Sequence, residues 1–198
     1  MINGEIIFVN HLAFNFNTYI KFKGEIFMKK DLLKEFIGAK YEYDDYIYTY
    51  VSTENEYSDA GWRAVVKDKT KTTYGSLLHS INEKPLTSIA QCFNGCTELT
   101  SFSNNFVIPN TVINCFSAFI NCSKLETLPQ SFQIPQNAIL CMSMFMNCSS
   151  LHDVNLIFPE SAIRLQQSFL NCTNLTETIT IKAPQCIFFQ HLMTQKIQ

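Results

Sequence analysis

The heptapeptide FLNCTNL occupies residues 169–175, and nearly the same heptapeptide occurs three times upstream. The other copies are FNGCTEL (93–99), FINCSKL (119–125) and FMNCSSL (145–151). Their phenylalanines are spaced 26, 26 and 24 residues apart, and a fixed period of this size is typical of stacked structural repeats. The pattern therefore predicts four copies of one structural unit rather than four separate reactive sites.

Further positions repeat in register with these phenylalanines and are predicted to form the core. Apolar residues recur seven and four positions before each phenylalanine and six and nine positions after it, with one exception. A single unit cannot bury such a face alone, so stacking would give each apolar column neighbours above and below. The residue before each repeated cysteine suits a turn with left-handed backbone. These residues are Gly95, Asn121, Asn147 and Asn171.

The eight cysteines follow the repeat, which predicts buried structural thiols. Cysteine is small and readily buried, so it fits a tight turn beside a bulky phenylalanine. A zinc site would need four converging Cys or His ligands, usually in close pairs, and Cys92 with Cys96 is the sole close pair in the sequence. We therefore predict no metal and no other cofactor, with disulfides and a metal site as the alternatives.

The bulk composition argues against several classes of protein. With 46% hydrophobic and 16% charged residues, the chain is too apolar for intrinsic disorder. A formal net charge of −2 gives no indication of a nucleic-acid partner. No apolar run reaches the roughly 18 residues needed to span a bilayer, so no membrane insertion is predicted. The N-terminal stretch MINGEIIFVNHLAFNFN lacks the basic region of a signal peptide.

A change in composition near Pro85 predicts an N-terminal α+β module or cap (residues 1–85) followed by a repeat array (86–198). The first part holds most of the charged residues and no cysteine. Its stretches KKDLLKEFIGAK (29–40) and SLLHSI (76–81) have the apolar pattern of helices.

Two stretches of the N-terminal part have the pattern of strands. YEYDDYIYTYV (41–51) alternates tyrosines around a central Asp-Asp pair, which predicts a hairpin. Its tyrosine stripe is interpreted as one packed face of a sheet, with a stacking platform for sugars or bases as the alternative. GWRAVVKDKTKTTYG (61–75) predicts a strand followed by a charged loop.

The unit IPNTVINCFSAFINCSKLETL (108–128) resembles the bacterial surface (BspA-type) leucine-rich repeat, and the similarity covers about residues 84–184. This resemblance implies a mostly β fold: a leucine-rich-repeat-like parallel solenoid of about four rungs with short helical turns, preceded by the N-terminal module. In such a repeat protein, LTSF (99–102), LETL (125–128) and LHDV (151–154) would form strands of the main parallel sheet, and each F-x-x-C a tight helical turn.

The same resemblance implies adhesion or partner binding, and a cell-surface or extracellular location. The expected function is that of a non-enzymatic protein–protein or protein–glycan interaction module that uses the exposed strand face of the array. The alternative is a structural component of a phage tail or surface fibre. No catalytic residue is predicted, because the chain contains no phosphate loop and no recognisable hydrolase motif.

The candidate partner-binding residues are the variable positions of each L-x-x-(apolar) stretch. They are polar and have no expected role in the core: Glu126, Thr127, His152, Asp153, Thr176 and Glu177. His152 and Asp153 are adjacent, but they occupy the positions that hold unrelated polar residues in the other copies, which favours exposed strand positions over a catalytic pair. The tyrosine stripe at 46–50 is the second-choice binding surface.

Overall fold

The computed structural model describes residues 20–22, 25–27, 37–52, 60–152, 154–175, 179–184 and 186. Regular structure within these residues consists of nine short β-strands. The first two, β1 (Ile20–Phe22) and β2 (Glu25–Phe27), pair antiparallel as a separate hairpin.

The largest sheet has five strands. These are β3 (Lys40–Tyr43), β4 (Tyr46–Val51), β5 (Gly61–Val66), β6 (Ser80–Ile81) and β7 (Lys84–Ser88). Its strand order is β3-β4-β5-β7-β6, and it is mixed because β5 and β7 run parallel while the other neighbours are antiparallel. A separate parallel pair is formed by β8 (Ile157–Phe158) and β9 (Thr180–Ile181).

The hairpin and strand predicted in the N-terminal part are confirmed, whereas its second predicted helix is wrong. Strands β3 and β4 form the tyrosine-rich hairpin, and Asp44 in its turn has a φ of 48°. The end of SLLHSI forms β6 instead of a helix, because a tight turn pairs it with β7. Asn82 and Glu83, with φ of 49° and 62°, supply the two left-handed residues that such a turn requires. Most of the helix predicted at 29–40 lies outside the described residues.

The predicted leucine-rich-repeat-like parallel solenoid with short helical turns is wrong. The described residues contain no helix, and their main regular element is the curled five-stranded mixed sheet. The stretches 99–102 and 125–128 and the described part of 151–154 form no strand. The description of the chain as a leucine-rich-repeat solenoid is corrected accordingly, and no structural observation supports adhesion or a cell-surface location.

Left-handed residues, two in each repeat, explain why no helix forms. In the second repeat Ser117 has a φ of 50° and Asn121 a φ of 63°. The N–H of Cys122 donates to the carbonyl of Phe119 at 3.2 Å, which makes Asn121 the third residue of a four-residue turn. A residue with positive φ cannot continue a right-handed helix. The other repeats have equivalent pairs: Gln91 with Gly95, Ser143 with Asn147, and Gln167 with Asn171.

Successive repeats contact one another through backbone hydrogen bonds. The N–H groups of Phe93, Phe119 and Phe145 each donate, at 2.8 Å, to a carbonyl of the following repeat. Isolated parallel bridges connect one position of each repeat to the next: Ser88 to Asn114, Asn114 to Leu140, and Leu140 to Arg164. The repeats therefore stack as turn-rich coils, and these bonds satisfy backbone groups that regular strands would otherwise pair.

The first repeat is also bonded to the N-terminal sheet. Strand β7 extends across residue 85 and pairs with β5 in the register Trp62 to Leu86. The two strands approach so closely at Gly61 that an added Cβ would lie 2.5 Å from the side chain of Thr87. The division into residues 1–85 and 86–198 stays a prediction.

The core of the repeats includes two ladders of like residues. The rings of Phe93, Phe119, Phe145 and Phe169 stack with centroid separations of 5.1, 5.0 and 5.6 Å and interplanar angles of 7°. Beside them lies a ladder of buried thiols: Cys96, Cys122, Cys148 and Cys172. The Cys122 thiol donates to the carbonyl of Phe93 at 3.1 Å, and the next two thiols make the equivalent bond. These positions confirm the predicted core columns.

Candidate partner-binding site

Three of the predicted contact residues come together with Thr100, the equivalent position of the first repeat, as one edge of the stacked repeats. We call this edge the ridge, and it consists of Thr100, Glu126, Thr127 and His152. The N–H of Glu126 donates to the carbonyl of Thr100 at 3.1 Å, and the N–H of His152 donates to the carbonyl of Glu126 at 2.9 Å. These bonds align Thr100, Glu126 and His152 on successive repeats. Because the ridge has no strand, hydrogen bonds between turns position its residues.

The side chains of the ridge differ in exposure. Glu126 and Thr127 are exposed, whereas His152 is half-buried and its Nδ1 lies 2.8 Å from the carbonyl oxygen of Ser150. The ridge therefore offers the carboxylate of Glu126 and the hydroxyl of Thr127 to a partner. The other predicted contact residues, Asp153, Thr176 and Glu177, lie outside the described residues.

A groove of about 710 Å³ lies beside the ridge, and we call it the amide groove. Leu128 and Val154 line it, and each follows a ridge residue by one or two positions. Its polar lining is rich in side-chain amides and includes one carboxylate and one ammonium group: Gln130, Gln133, Gln136, Asn155, Glu160 and Lys182. Amides both donate and accept hydrogen bonds, so this groove can recognise polar groups without requiring a charged ligand.

The sequence did not reveal the amide groove. Its lining comes from the segments on both sides of Pro135 and Pro159 and from Lys182, and the repeat pattern assigns no common role to these residues. The available signal was the recurrence of glutamine in one of these segments.

Asparagines at the left-handed turn position form a surface ladder of their own. The side-chain amide of Asn147 donates to Oδ1 of Asn121 at 2.6 Å, and that of Asn171 donates to Oδ1 of Asn147 at 2.7 Å. All three have a φ of 63°. The prediction that the residue before each repeated cysteine adopts a left-handed turn conformation is thereby confirmed for these asparagines.

The second-choice surface, the tyrosine stripe at 46–50, is largely internal. Tyr46 and Tyr48 are fully buried, and the Tyr46 ring meets Phe93 edge-on at a centroid distance of 6.0 Å. Burial raises the pKa of the Tyr46 and Tyr48 phenols far above the usual pKa of tyrosine. Tyr50 is half-buried against Trp62. The packed-face interpretation is confirmed for the tyrosines of β4, whereas Tyr43 of β3 is 49% exposed and stacks on Tyr41 at a centroid distance of 6.5 Å.

All eight cysteines are free and buried. Among the described residues, no group of three or more His, Cys, Asp or Glu side chains is arranged to hold a metal ion. Hydrogen bonding with the neighbouring thiol of Cys148 is the main cause that raises the pKa of Cys122. Burial raises the pKa of Cys172 to about 12.

We expect Cys122, Cys148 and Cys172 to react slowly with thiol reagents in the native protein, because reaction requires both access and thiolate. At pH 8, all eight thiols should react in denaturant. In the same time, fewer than one thiol per molecule should react in the native protein. Counting free thiols with a chromogenic disulfide reagent measures this. Rapid native labelling, a disulfide between Cys122 and Cys148, or loss of the fold on zinc chelation would contradict the buried thiol ladder.

Among the described residues, no helix has the length and apolarity that crossing a membrane requires. Comparison of the chain with protein-family models, with curated proteins and with solved structures gave no match. The resemblance to the BspA-type repeat therefore stays a prediction from the sequence.

Proposed function

We propose that the protein is a non-enzymatic interaction module that binds a protein or a glycan through the ridge and the amide groove. The alignment of Thr100, Glu126 and His152 on successive repeats is the observation that carries this proposal. It gives one continuous edge whose side chains change from repeat to repeat over a constant core. Such a surface can acquire specificity without altering the residues that stabilise the stack.

The amide groove supports the same function. Binding sites are typically concave, with apolar walls and a few polar groups that fix the orientation of the ligand. The groove has this character, since Leu128 and Val154 form apolar wall and amides surround them. Glu160 and Lys182 add one charge of each sign, which suits a neutral polar ligand better than a strongly charged one.

The test begins with a glycan array and with cross-linking of the intact protein to candidate protein partners, which together identify a ligand. For that ligand, we expect the double variant Glu126→Ala/Thr127→Ala to bind at least tenfold more weakly, or about 1.4 kcal/mol. The melting temperature should stay nearly unchanged because both side chains are exposed. Isothermal titration calorimetry and a thermal melt measure the two quantities.

A matched control replaces two exposed polar residues that lie outside the ridge and the amide groove, Ser80→Ala and Asn105→Ala. This variant should bind the ligand as tightly as the parent. Unchanged binding by the ridge variant would reject the ridge as the contact surface. Stable trimers or filaments in analytical ultracentrifugation, with no ligand found, would favour the structural alternative.

A further inference from the structure

The third repeat is two residues shorter than the second, and the difference falls in one wall of the amide groove. Leu125 precedes Pro135 by ten positions, whereas the equivalent Leu151 precedes Pro159 by eight. The two walls of the groove come from these two segments and the residues that follow each proline. Because the walls differ in length, they cannot pair residue by residue, and a groove separates them.

The junction between the first and second repeats is closed at the same place. The hydroxyl oxygen of Ser131 lies 2.9 Å from the carbonyl oxygens of both Asn104 and Phe106, so it donates across this junction. Asn155 holds the equivalent position of the third repeat, four residues before its proline. The Asn155 side chain forms no hydrogen bond within the part of the chain that the structure describes. The junction between the second and third repeats therefore lacks this contact and stays open as the amide groove.

Strand β8 borders the amide groove with one edge unpaired. Its other edge is bonded to β9 of the fourth repeat, where the N–H of Thr180 donates to the carbonyl of Leu156 at 3.0 Å. The N–H of Lys182 donates to the carbonyl of Phe158, also at 3.0 Å. Neighbouring residues of a strand direct their main-chain groups to opposite sides, so the N–H and C=O of Ile157 point away from β9 and towards the second repeat. Neither of these two groups has a hydrogen-bond partner among the described residues.

The opposite wall presents side chains that can bond a peptide main chain. Gln130 and Gln133 are exposed, and neither side chain has a hydrogen-bond partner in the described part of the protein. A primary amide offers both donors and an acceptor, which match the C=O and N–H groups of a peptide. The single aromatic ring in the described lining, that of Phe132, is buried, so no ring is available for a sugar to stack on. The two walls therefore suit a peptide better than a glycan.

We propose that the amide groove binds an extended peptide segment of a partner protein, which adds a strand to the unpaired edge of β8. In this mode of recognition, main-chain hydrogen bonds provide the affinity and pockets for alternate side chains provide the specificity. Leu128 and Val154 supply an apolar wall for those side chains. This inference rests on the proposed function, because it names the chemistry of the partner that the groove receives.

The probe is a fluorescein-labelled heptapeptide, TVTVTVT, which alternates polar and apolar side chains and spans about 23 Å when extended. In fluorescence polarisation, the intact protein should bind it at least tenfold more tightly than the same peptide methylated on the main-chain nitrogens of its internal residues. Methylation removes those N–H donors and leaves the side chains unchanged. At saturation with TVTVTVT, amide hydrogen exchange of Ile157 should slow at least tenfold. Exchange of the Phe119 amide, which already donates to the carbonyl of Met144 at 2.8 Å, should stay unchanged.

Ile157→Pro deletes the unpaired N–H of β8 without removing a bond to β9, and an edge strand tolerates proline where its N–H faces outward. This variant should bind TVTVTVT at least tenfold more weakly, whereas Ile157→Ala keeps the N–H and should lose less than threefold. Gln130→Ala/Gln133→Ala should weaken binding severalfold, because it removes the donors and acceptors of the opposite wall. Val107→Pro is the matched control, since Val107 is exposed at the same position of the first repeat and lies outside the groove. It should bind TVTVTVT as the parent does.

Absence of saturable binding of TVTVTVT, equal binding of the methylated peptide, or an equal loss in Ile157→Pro and Val107→Pro would overturn the inference. A loss in Ile157→Ala as large as that in Ile157→Pro would also overturn it, because binding would then depend on the side chain alone. If a thermal melt shows that Ile157→Pro is unfolded, the methylated peptide and the glutamine variant decide, since both leave β8 intact. A glycan ligand that requires Glu126 and Thr127, without binding of TVTVTVT, would overturn this inference and leave the proposed function standing.

Discussion

Phe119→Ala should lower the free energy of unfolding by about 3–5 kcal/mol, the usual cost of truncating a buried phenylalanine. Phe119 has no exposed surface, and its ring stacks between Phe93 at 5.1 Å and Phe145 at 5.0 Å. Phe102 and Phe132 close its sides at 5.7 and 5.8 Å. Removal of the ring leaves a cavity between two repeats whose backbones are hydrogen-bonded, so the neighbours cannot collapse into it. Urea denaturation of the variant and the parent measures the change.

Gln133→Ala is the control for this prediction, because Gln133 lies in a repeat loop with an exposed side chain. It should change stability by about 0.5 kcal/mol or less, as surface substitutions usually do. Equal effects of the two substitutions would show that the phenylalanine ladder is not the core of the repeats. A larger loss of stability in Phe169→Ala than in Phe119→Ala would also contradict this prediction. Among the described residues, Phe169 has a stacked neighbour on one side only.

The core could be predicted because burial depends on a property that the sequence repeats. Phe119, Cys122 and Leu125 recur at fixed spacing, and all three are fully buried. Apolar residues that return with a fixed period can be buried together only if the units are stacked in register. The same argument identified the ridge, because positions without a periodic apolar residue have no place in the core.

The local conformations could not be predicted in the same way. Apolar spacing of three residues between Phe119 and Cys122 fits a helical turn, but it also fits a four-residue turn with one left-handed residue. The sequence contained the deciding signal in Asn121, whose residue type tolerates positive φ. Ser117 gave no comparable signal, because serine has no marked preference for the left-handed region. The left-handed conformation of Ser117, and of the equivalent residue in the other repeats, could therefore be recognised only in the structure.

The amide groove was missed for a different reason. It is a property of neighbouring repeats and not of one repeat, since its walls come from residues such as Leu128 and Val154, which are 26 positions apart. The pairing of β5 with β7 is likewise a long-range contact that no local pattern encodes.

Asn147→Val should lower the free energy of unfolding by about 2–4 kcal/mol, although Asn147 is polar and near the surface. Its φ of 63° lies in the left-handed region, where a β-branched residue costs about 1–3 kcal/mol in strain. Its side chain also donates to Asn121 at 2.6 Å and accepts from Asn171 at 2.7 Å. Valine can make neither bond, and each of these exposed bonds contributes about 0.5 kcal/mol. Urea denaturation measures the loss.

Asn147→Gly separates the two contributions, because glycine removes the side-chain bonds but adopts positive φ without strain. It should cost about half as much as valine, and Gly95 already occupies the equivalent position in the first repeat with a φ of 74°. Asn155→Val, at an exposed position with ordinary backbone, should cost about 0.5 kcal/mol or less. Equal losses for valine and glycine at position 147 would assign the effect to the asparagine ladder alone. A neutral Asn147→Val would contradict the left-handed turn, and with it the reason that the repeats contain turns in place of helices.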